Sequence, residues 1–170
     1  MAYLLDADVF IRAKNLHYGL DFCPAFWDWL TQGNADGTVF SVEKVGDEVQ
    51  AVADELSAWA DARGAGFFLR PAAAAFPSLA AVSTWATGQA YEPSAVSTFL
   101  QVADYYLVAQ AHAGKHTVVT HEIPSASTRK IKIPGNCLAS AGPVCQEVST
   151  RKGQRARSPK AEGSAEGLDI

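Results

Sequence analysis

The sequence has few cysteines, a modest number of charges and no long apolar run, and each absence excludes a class of protein. Only three of its 170 residues are cysteine, an odd number, which argues against a disulfide scaffold and predicts a reducing, cytoplasmic location. No stretch approaches the ~18 uninterrupted apolar residues of a spanning helix, so no membrane association is expected. The opening residues have no basic lead and include two acids, so we do not expect a secretory signal.

The composition is that of one globular domain with an acidic body. Hydrophobic residues make up 48% of the chain and charged residues 19%, enough apolar material for a single core. Residues 1–150 carry 9 Lys/Arg against 15 Asp/Glu, whereas residues 151–170 carry 5 against 3. Such a body cannot attract nucleic acid through its overall field, so a polyanionic substrate would need local neutralisation, most simply by divalent cations.

Short apolar segments alternate with helical patterns along the chain. Strands are predicted over residues 3–5, 38–40, 67–69 and 117–120, with residues 131–133 as a fifth, edge strand. Helices are predicted over residues 23–30, 42–52, 55–63, 79–86 and 95–113. Ser41 and Asp54 would cap the second and third helices, a turn is expected over residues 33–37, and the last helix would break near Leu100. This alternation predicts an α/β fold with a mostly parallel sheet of four to five strands.

From residue 146 the composition changes. Residues 146–170 contain no aromatic residue and only three sizeable apolar side chains. Such a segment cannot bury enough surface to offset its ordering entropy. We therefore predict a folded domain over residues 1–145 and a polar, mostly disordered tail over residues 146–170.

Acidic residues follow two of the predicted strands. Asp6 ends the first strand and Glu122 follows the fourth, and ligands of parallel sheets bind beyond the carboxyl ends of the strands. Two further acids lie in predicted helices: Glu48, and Asp104 within the apolar stretch VADYYLVA. A carboxylate among packing residues needs a partner, and Mg²⁺ or Mn²⁺ held by several carboxylates would supply one. Converging acids of this kind suit phosphodiester hydrolysis.

A plainer interpretation of the same acids is equally open. An Asp at a strand end is often only a helix cap or a turn former, and Glu48 can be ordinary helix surface.

Three segments together resemble the PIN-domain nucleases, and within them a VapC-like bacterial branch. They are YLLDADVFI near the start, VFSVEKVGDEV in the middle, and FLQVADYYLVAQAHAGKHTVVTHE, which follows in the order and spacing of that family. The resemblance covers residues 2–145. It implies a three-layer α/β/α domain with metal-dependent ribonuclease activity, acting as the toxin of a toxin–antitoxin pair. RNA, an antitoxin protein and a second copy of the chain are then the expected partners, and Mg²⁺ or Mn²⁺ the expected cofactor.

The resemblance also implies roles for individual residues. Asp6, Asp104 and Glu122 would bind the metal and carry the catalysis. Glu48 would be the helix acid of the same catalytic and metal site, with Asp47 and Glu43 as alternatives. Thr120 would hydrogen-bond a carboxylate or the attacking water, and Asp8 would bind the metal or orient Asp6. The family ends in a strand and an amphipathic helix where this chain has its polar tail.

Basic residues just beyond Glu122 are candidates for contact with RNA. Arg129, Lys130 and Lys132 would reach backbone phosphates, although an edge strand protected by charge explains them equally well. His121 can contact a substrate phosphate or simply face solvent. The four tryptophans are expected in the core, with Tyr18, Phe22, Trp27 and Trp29 as an alternative base-stacking or partner surface.

Two other functions remain open at the level of the sequence. Asp6-Ala7-Asp8-Val9 after a strand also resembles the start of a haloacid-dehalogenase phosphatase, in which the first Asp is the nucleophile. No convincing lysine or acid pair follows in the order that such a phosphatase requires. The non-enzymatic alternative is a PIN-like module that binds RNA or protein without cutting.

Overall fold

The computed structural model describes residues 1–123, 125–133 and the strand Gln146–Glu147. The rest of the predicted tail lies outside the described residues, as do Cys137 and Cys145. Cys23 is a free, half-exposed thiol.

Five parallel strands form one sheet. They are β1 (Tyr3–Leu5), β2 (Val39–Val42), β3 (Phe68–Leu69), β4 (Thr117–Thr120) and β5 (Gln146–Glu147). Their order across the sheet is β3-β2-β1-β4-β5, and every neighbouring pair is parallel. The predicted α/β class with a parallel sheet is confirmed.

The fifth strand is not where the sequence pattern predicts it. Ile131 and Ile133 are buried in the core without forming a strand, so the prediction for residues 131–133 was wrong. The strand beside β4 is instead β5, and it uses the first two residues of the predicted tail. Alternating burial in residues 131–133 comes from a loop that packs onto the core, which gives the same apolar pattern as a half-buried strand.

Helices occupy most of the remaining described chain. They are α1 (Ala7–Arg12), α2 (Pro24–Ala35), α3 (Glu43–Val49), α4 (Glu55–Phe67), α5 (Phe76–Gly88), α6 (Pro93–Phe99) and α7 (Ala103–Gly114). A π-helical turn, Ala13–His17, extends α1, and a 3₁₀ turn, Ala73–Ala75, precedes α5. Among the described residues, no helix combines the length and the apolar character needed to cross a bilayer.

The topology places a crevice at the carboxyl ends of β1 and β4. From β1 the chain moves outward through β2 to β3, and it then returns past β1 to form β4 on the other side. Because crossovers between parallel strands are right-handed, this reversal puts helices on both faces of the sheet and gives three layers. Ligands of such sheets bind where the strand order reverses.

Most predicted helix boundaries are confirmed to within a few residues, and one cap is wrong. Asp54 caps α4 as predicted, and the predicted break near Leu100 separates α6 from α7. Ser41, however, lies inside β2, and α3 begins only at Glu43. Its buried hydroxyl donates a 2.6 Å hydrogen bond to the Leu5 carbonyl of the neighbouring strand.

Two other boundaries differ from the prediction. The helix α2 runs to Ala35. Of the turn expected over residues 33–37, only residues 36–37 therefore lie outside the helix. The helix predicted over residues 55–63 continues as α4 to Phe67, and Gly64, with a φ of 54°, kinks it near its end.

Aromatic side chains form the centre of the core. Phe10 of α1 lies about 6 Å from the rings of Trp59, Phe67 and Phe68, and Trp27 meets Trp59 edge to face at 5.0 Å. Such pairs add to the free energy gained by burial. The prediction of a core position is therefore confirmed for Trp27 and Trp59, whereas Trp29 is 62% exposed. Trp85 is half-buried and packs against this core.

We predict that Ser41→Ala lowers the free energy of unfolding by about 1–3 kcal/mol, because it removes the donor to the buried Leu5 carbonyl. Urea denaturation followed by circular dichroism measures the change. Ser57→Ala, which removes a half-exposed hydroxyl from α4, is the matched control and should change stability by less than ~0.5 kcal/mol. Equal effects of the two substitutions would contradict a structural role for the Ser41 bond.

Candidate functional site

Asp6 lies at the carboxyl end of the central strand. It follows β1 directly and is the N-cap of α1, so that its Oδ1 accepts the backbone N–H of Ala7 at 2.7 Å. Its Oδ2 accepts a 2.8 Å hydrogen bond from the Thr120 hydroxyl at the end of β4. Both residues are buried, Asp6 at 4% and Thr120 at 0% exposure. Of the two roles predicted for Thr120, the structure shows the bond to a carboxylate.

The Asp6 carboxyl group is in a setting that disfavours its charge. Burial, followed by the charges of Asp8 and Asp104, raises its pKa from 3.8 to about 8. The hydrogen bonds from Thr120 and from the Ala7 N–H act in the opposite direction but do not cancel the shift. At neutral pH this carboxyl group is thus largely protonated unless a cation compensates its charge.

Asp104 approaches the same crevice from the first turn of α7. Burial, and then the charges of Glu122 and Glu48, raise its pKa to about 6, against the opposing effect of Lys130 and Lys132. Within the described part of the chain its side chain has neither a hydrogen bond nor an ion pair. A half-buried carboxylate without a direct partner is costly, so this group is suited to binding a cation.

Glu122 is already paired with cations. Its Oε1 accepts hydrogen bonds from Lys132 and, at 3.4 Å, from Lys130, while its Oε2 accepts the Ile133 N–H at 3.0 Å. Although burial raises the pKa of Glu122, the hydrogen bonds and charges of these partners outweigh it and lower the pKa overall. Sequence reasoning did not anticipate these bonds and assigned the two lysines to the substrate.

The three candidate acids of α3 have different partners. Asp47 pairs with Lys44 at 2.9 Å, and Glu43 pairs with Arg70 at 2.9 Å. Glu48 is exposed, and its charge contributes to the raised pKa of Asp104. Asp47 and Glu48 both line the groove that contains Asp104, and of the three acids Glu48 is the one whose charge acts on Asp104.

Three other predicted site residues have protein partners. Both carboxylate oxygens of Asp8 accept the backbone N–H of His121 at 3.2 Å, so Asp8 fixes the turn after β4 and makes no hydrogen bond to Asp6. The side chain of Arg129 is 84% exposed and pairs with Glu92 at 3.3 Å.

Carboxylate oxygens are the ligands that Mg²⁺ and Mn²⁺ prefer. Among the described residues, no three Asp, Glu, His or Cys side chains are placed to hold one ion together. Mg²⁺ nevertheless usually keeps several waters and binds through only one or two carboxylates. Asp6 and Asp104 fit that mode, since their charges interact and no basic side chain of the described residues lies at hydrogen-bond distance from either carboxylate.

A groove opens beside these acids. It has a volume of about 700 Å³ and lies between α3, α6, the start of α7 and residues 129–131. Its lining includes three acids, Asp47, Glu48 and Asp104, and three basic residues, Lys44, Arg129 and Lys130. Sequence reasoning missed the contribution of α6, whose polar residues carry no motif.

The raised pKa of Asp6 predicts the pH dependence of stability. A carboxyl group that is harder to ionise in the folded state stabilises the fold at low pH, and this contribution is lost as pH rises from about 4 to about 8. In EDTA, Asp6→Asn should therefore gain stability relative to wild type between pH 5 and pH 8, by a few kcal/mol.

Urea denaturation across that pH range tests the expectation. Asp61→Asn, which changes an exposed acid of α4, is the control and should follow the wild-type profile. Parallel profiles for wild type and Asp6→Asn would show that Asp6 ionises normally in the folded protein.

Comparison with known proteins gives a family and a distant structural likeness. No curated protein sequence is significantly similar to this chain. A solved structure, the crystal structure of VapBC2 from Rickettsia felis bound to a DNA fragment from their promoter, is similar over 72% of this chain and 89% of that chain. The identity is 16% and the TM-score is 0.46. Residues 3–155 match the family described as "Domain of unknown function (DUF4411)", and the chain therefore belongs to that family.

Proposed function

We propose that this protein is a Mg²⁺- or Mn²⁺-dependent endoribonuclease. The observation that carries the proposal is the electrostatic interaction of Asp6 with Asp104, and of Asp104 with Glu122 and Glu48, which together with burial raises the pKa of Asp6 and of Asp104. The order and spacing of the same acids resemble the PIN-domain nucleases. The finer proposal, that the enzyme is the toxin of a toxin–antitoxin pair, depends on that resemblance.

In this proposal Asp6 and Asp104 would hold the metal ion. A divalent ion bound there lowers the pKa of an attacking water and offsets charge on the phosphate. Thr120 keeps the Asp6 carboxylate in place through its 2.8 Å bond, and the Asp8 contact fixes the turn that carries His121 and Glu122. Glu48, exposed beside Asp104, is available to accept a proton from water.

One of the two lysines that pair with Glu122 would also contact the substrate. Lys130 is 64% exposed and its contact with Glu122 is long, so it can turn toward a phosphate at small cost. Lys132 is only 25% exposed and bonds Glu122 more closely, so it would stay and balance the charge of that acid. We therefore assign two roles to Glu122: it positions these lysines, and it contributes a carboxylate near Asp104.

The pairing of Glu122 favours a second candidate, an RNA-binding module without nuclease activity. A carboxylate whose oxygens are taken by two lysines and a backbone N–H has less capacity to bind a metal ion. Such a module would bind RNA equally well with and without divalent metal.

An apolar patch supports a protein partner, which the resemblance would make an antitoxin. Phe22 is 89% exposed and Trp29 is 62% exposed. Phe26 stacks on Tyr18 at 4.6 Å and lies 6.2 Å from Trp29, so the rings of Tyr18, Phe26 and Trp29 form one cluster. Exposed apolar patches of this kind mark protein interfaces.

Cleavage of a mixed RNA panel in Mn²⁺ or in EDTA tests the proposed activity. Wild type should cut only with the metal, and Asp104→Asn should lose about 100-fold or more, since even outer-shell changes at metal sites cost 10–100-fold. Asp61→Asn, purified identically, should retain full activity.

The same assay separates the acids of α3. Glu48→Gln should reduce cleavage, whereas Asp47→Asn should leave it near wild type because Asp47 pairs with Lys44 at the surface. Equal cleavage by wild type and Asp104→Asn would indicate a contaminating nuclease. Absence of cleavage by folded wild type would reject the nuclease and favour the RNA-binding module.

A further inference from the structure

The groove beside the acids is walled by a helix that the catalytic proposal does not use. Along α6, Ser94 and Thr98 are spaced by four residues and line the groove, while Ala95 and Phe99 are buried. Residues spaced in this way lie on one face of a helix. Both hydroxyl-bearing residues are exposed, and within the described residues neither hydroxyl makes a hydrogen bond. They present free donors and acceptors to whatever enters.

The rest of the groove carries charges of both signs. Asp47, Glu48 and Asp104 supply negative charge, and Lys44, Arg129 and Lys130 supply positive charge. Apolar side chains, including Phe99 and Ile131, also line it. A nucleotide has matching chemistry, because its phosphates are anionic and its base combines apolar faces with a polar edge.

The volume and shape also favour an unpaired nucleotide. About 700 Å³ falls within the range of about 300–1,000 Å³ typical of small-ligand sites. Proteins read RNA sequence mainly from unpaired bases that leave the stack and enter such pockets, since side chains cannot read the deep, narrow major groove of an RNA duplex.

We propose that this groove binds one unpaired nucleotide next to the scissile phosphate, with its phosphate at Arg129 and Lys130 and its base against Ser94 and Thr98 of α6. The helix α6 then determines which nucleotide is cut. This placement rests on the proposed nuclease function for the position of the scissile phosphate, but binding of the nucleotide itself does not require cleavage.

Binding is measured in an Asp6→Asn background, which removes a proposed metal ligand without altering the groove lining. The probes are eight-nucleotide homopolymers of A, C, G and U, labelled for fluorescence anisotropy, and a fully paired RNA duplex. The unpaired RNA should bind more tightly than the duplex. Arg129→Gln and Lys130→Gln should each weaken the binding of unpaired RNA. Each should also reduce the slope of the logarithm of the binding constant against the logarithm of salt concentration by about 0.7, the value for one phosphate contact on a single strand.

Three further variants sharpen the test. Lys115→Gln removes a positive charge just before the start of β4, at the opposite edge of the sheet. It should leave the affinity for RNA and its salt dependence unchanged. Glu92→Gln frees Arg129 from its ion pair and should strengthen binding. Thr98→Val keeps the side-chain shape but removes the hydroxyl, and it should change the order of preference among the four homopolymers.

The outcomes separate this inference from the proposed activity. The proposal that the groove binds an unpaired nucleotide would be overturned if Arg129→Gln, Lys130→Gln and Lys115→Gln bound RNA equally well. It would also be overturned if the duplex bound as tightly as single-stranded RNA. An unchanged homopolymer preference in Thr98→Val would overturn the role of α6. If the groove variants weaken RNA binding but wild type never cuts RNA, nucleotide binding in the groove is supported and the nuclease activity is rejected. If wild type cuts RNA and the groove variants bind RNA normally, the nuclease activity is supported and nucleotide binding in the groove is rejected.

Discussion

The burial of the Asp6 carboxyl group between two central strands is the constraint on which the site depends. The Thr120 hydroxyl and the Ala7 N–H hold its two oxygens, so β1, β4 and the start of α1 meet at one side chain. These two bonds fix the position of the group but do not neutralise it, since burial and the neighbouring acids keep its pKa at about 8. The fold therefore contains a rigidly placed carboxylate whose ionised form requires a cation.

The proposed action on RNA depends on the distribution of charge around this carboxylate. The body of the chain has an excess of acids, and the charges of Glu122 and Glu48 act on Asp104. Two lysines neutralise Glu122, while Asp104 has no such partner among the described residues. A bound divalent cation would neutralise the remaining negative charge of these acids, and the basic residues beyond Glu122 would carry positive charge further toward the groove.

Much of the fold follows from local patterns in the sequence, because short apolar strands that end at acids are recognisable without tertiary information. Ser41 shows where this fails: serine is a favoured helix cap, but here a strand-to-strand hydrogen bond with Leu5 takes precedence. The strand predicted over residues 131–133 fails for a similar reason. Packing of this segment onto the core gives it the alternation of apolar and polar residues that is typical of a strand.

The same contrast holds for the site. The strand-end acids and Asp104 could be identified from their apolar surroundings, whereas the pairing of Lys132 with Glu122 depends on how a loop folds back ten residues later. The groove wall of α6 has no sequence signature, since exposed serine and threonine are common on any helix.

Binding of a divalent ion to the site is tested by titrating the RNA-free protein with Mn²⁺ and following the free ion by electron paramagnetic resonance. We expect a bound ion in wild type, an affinity reduced at least ~10-fold in Asp104→Asn, and wild-type affinity in Asp61→Asn. Absence of binding, or equal binding by wild type and Asp104→Asn, would contradict this expectation.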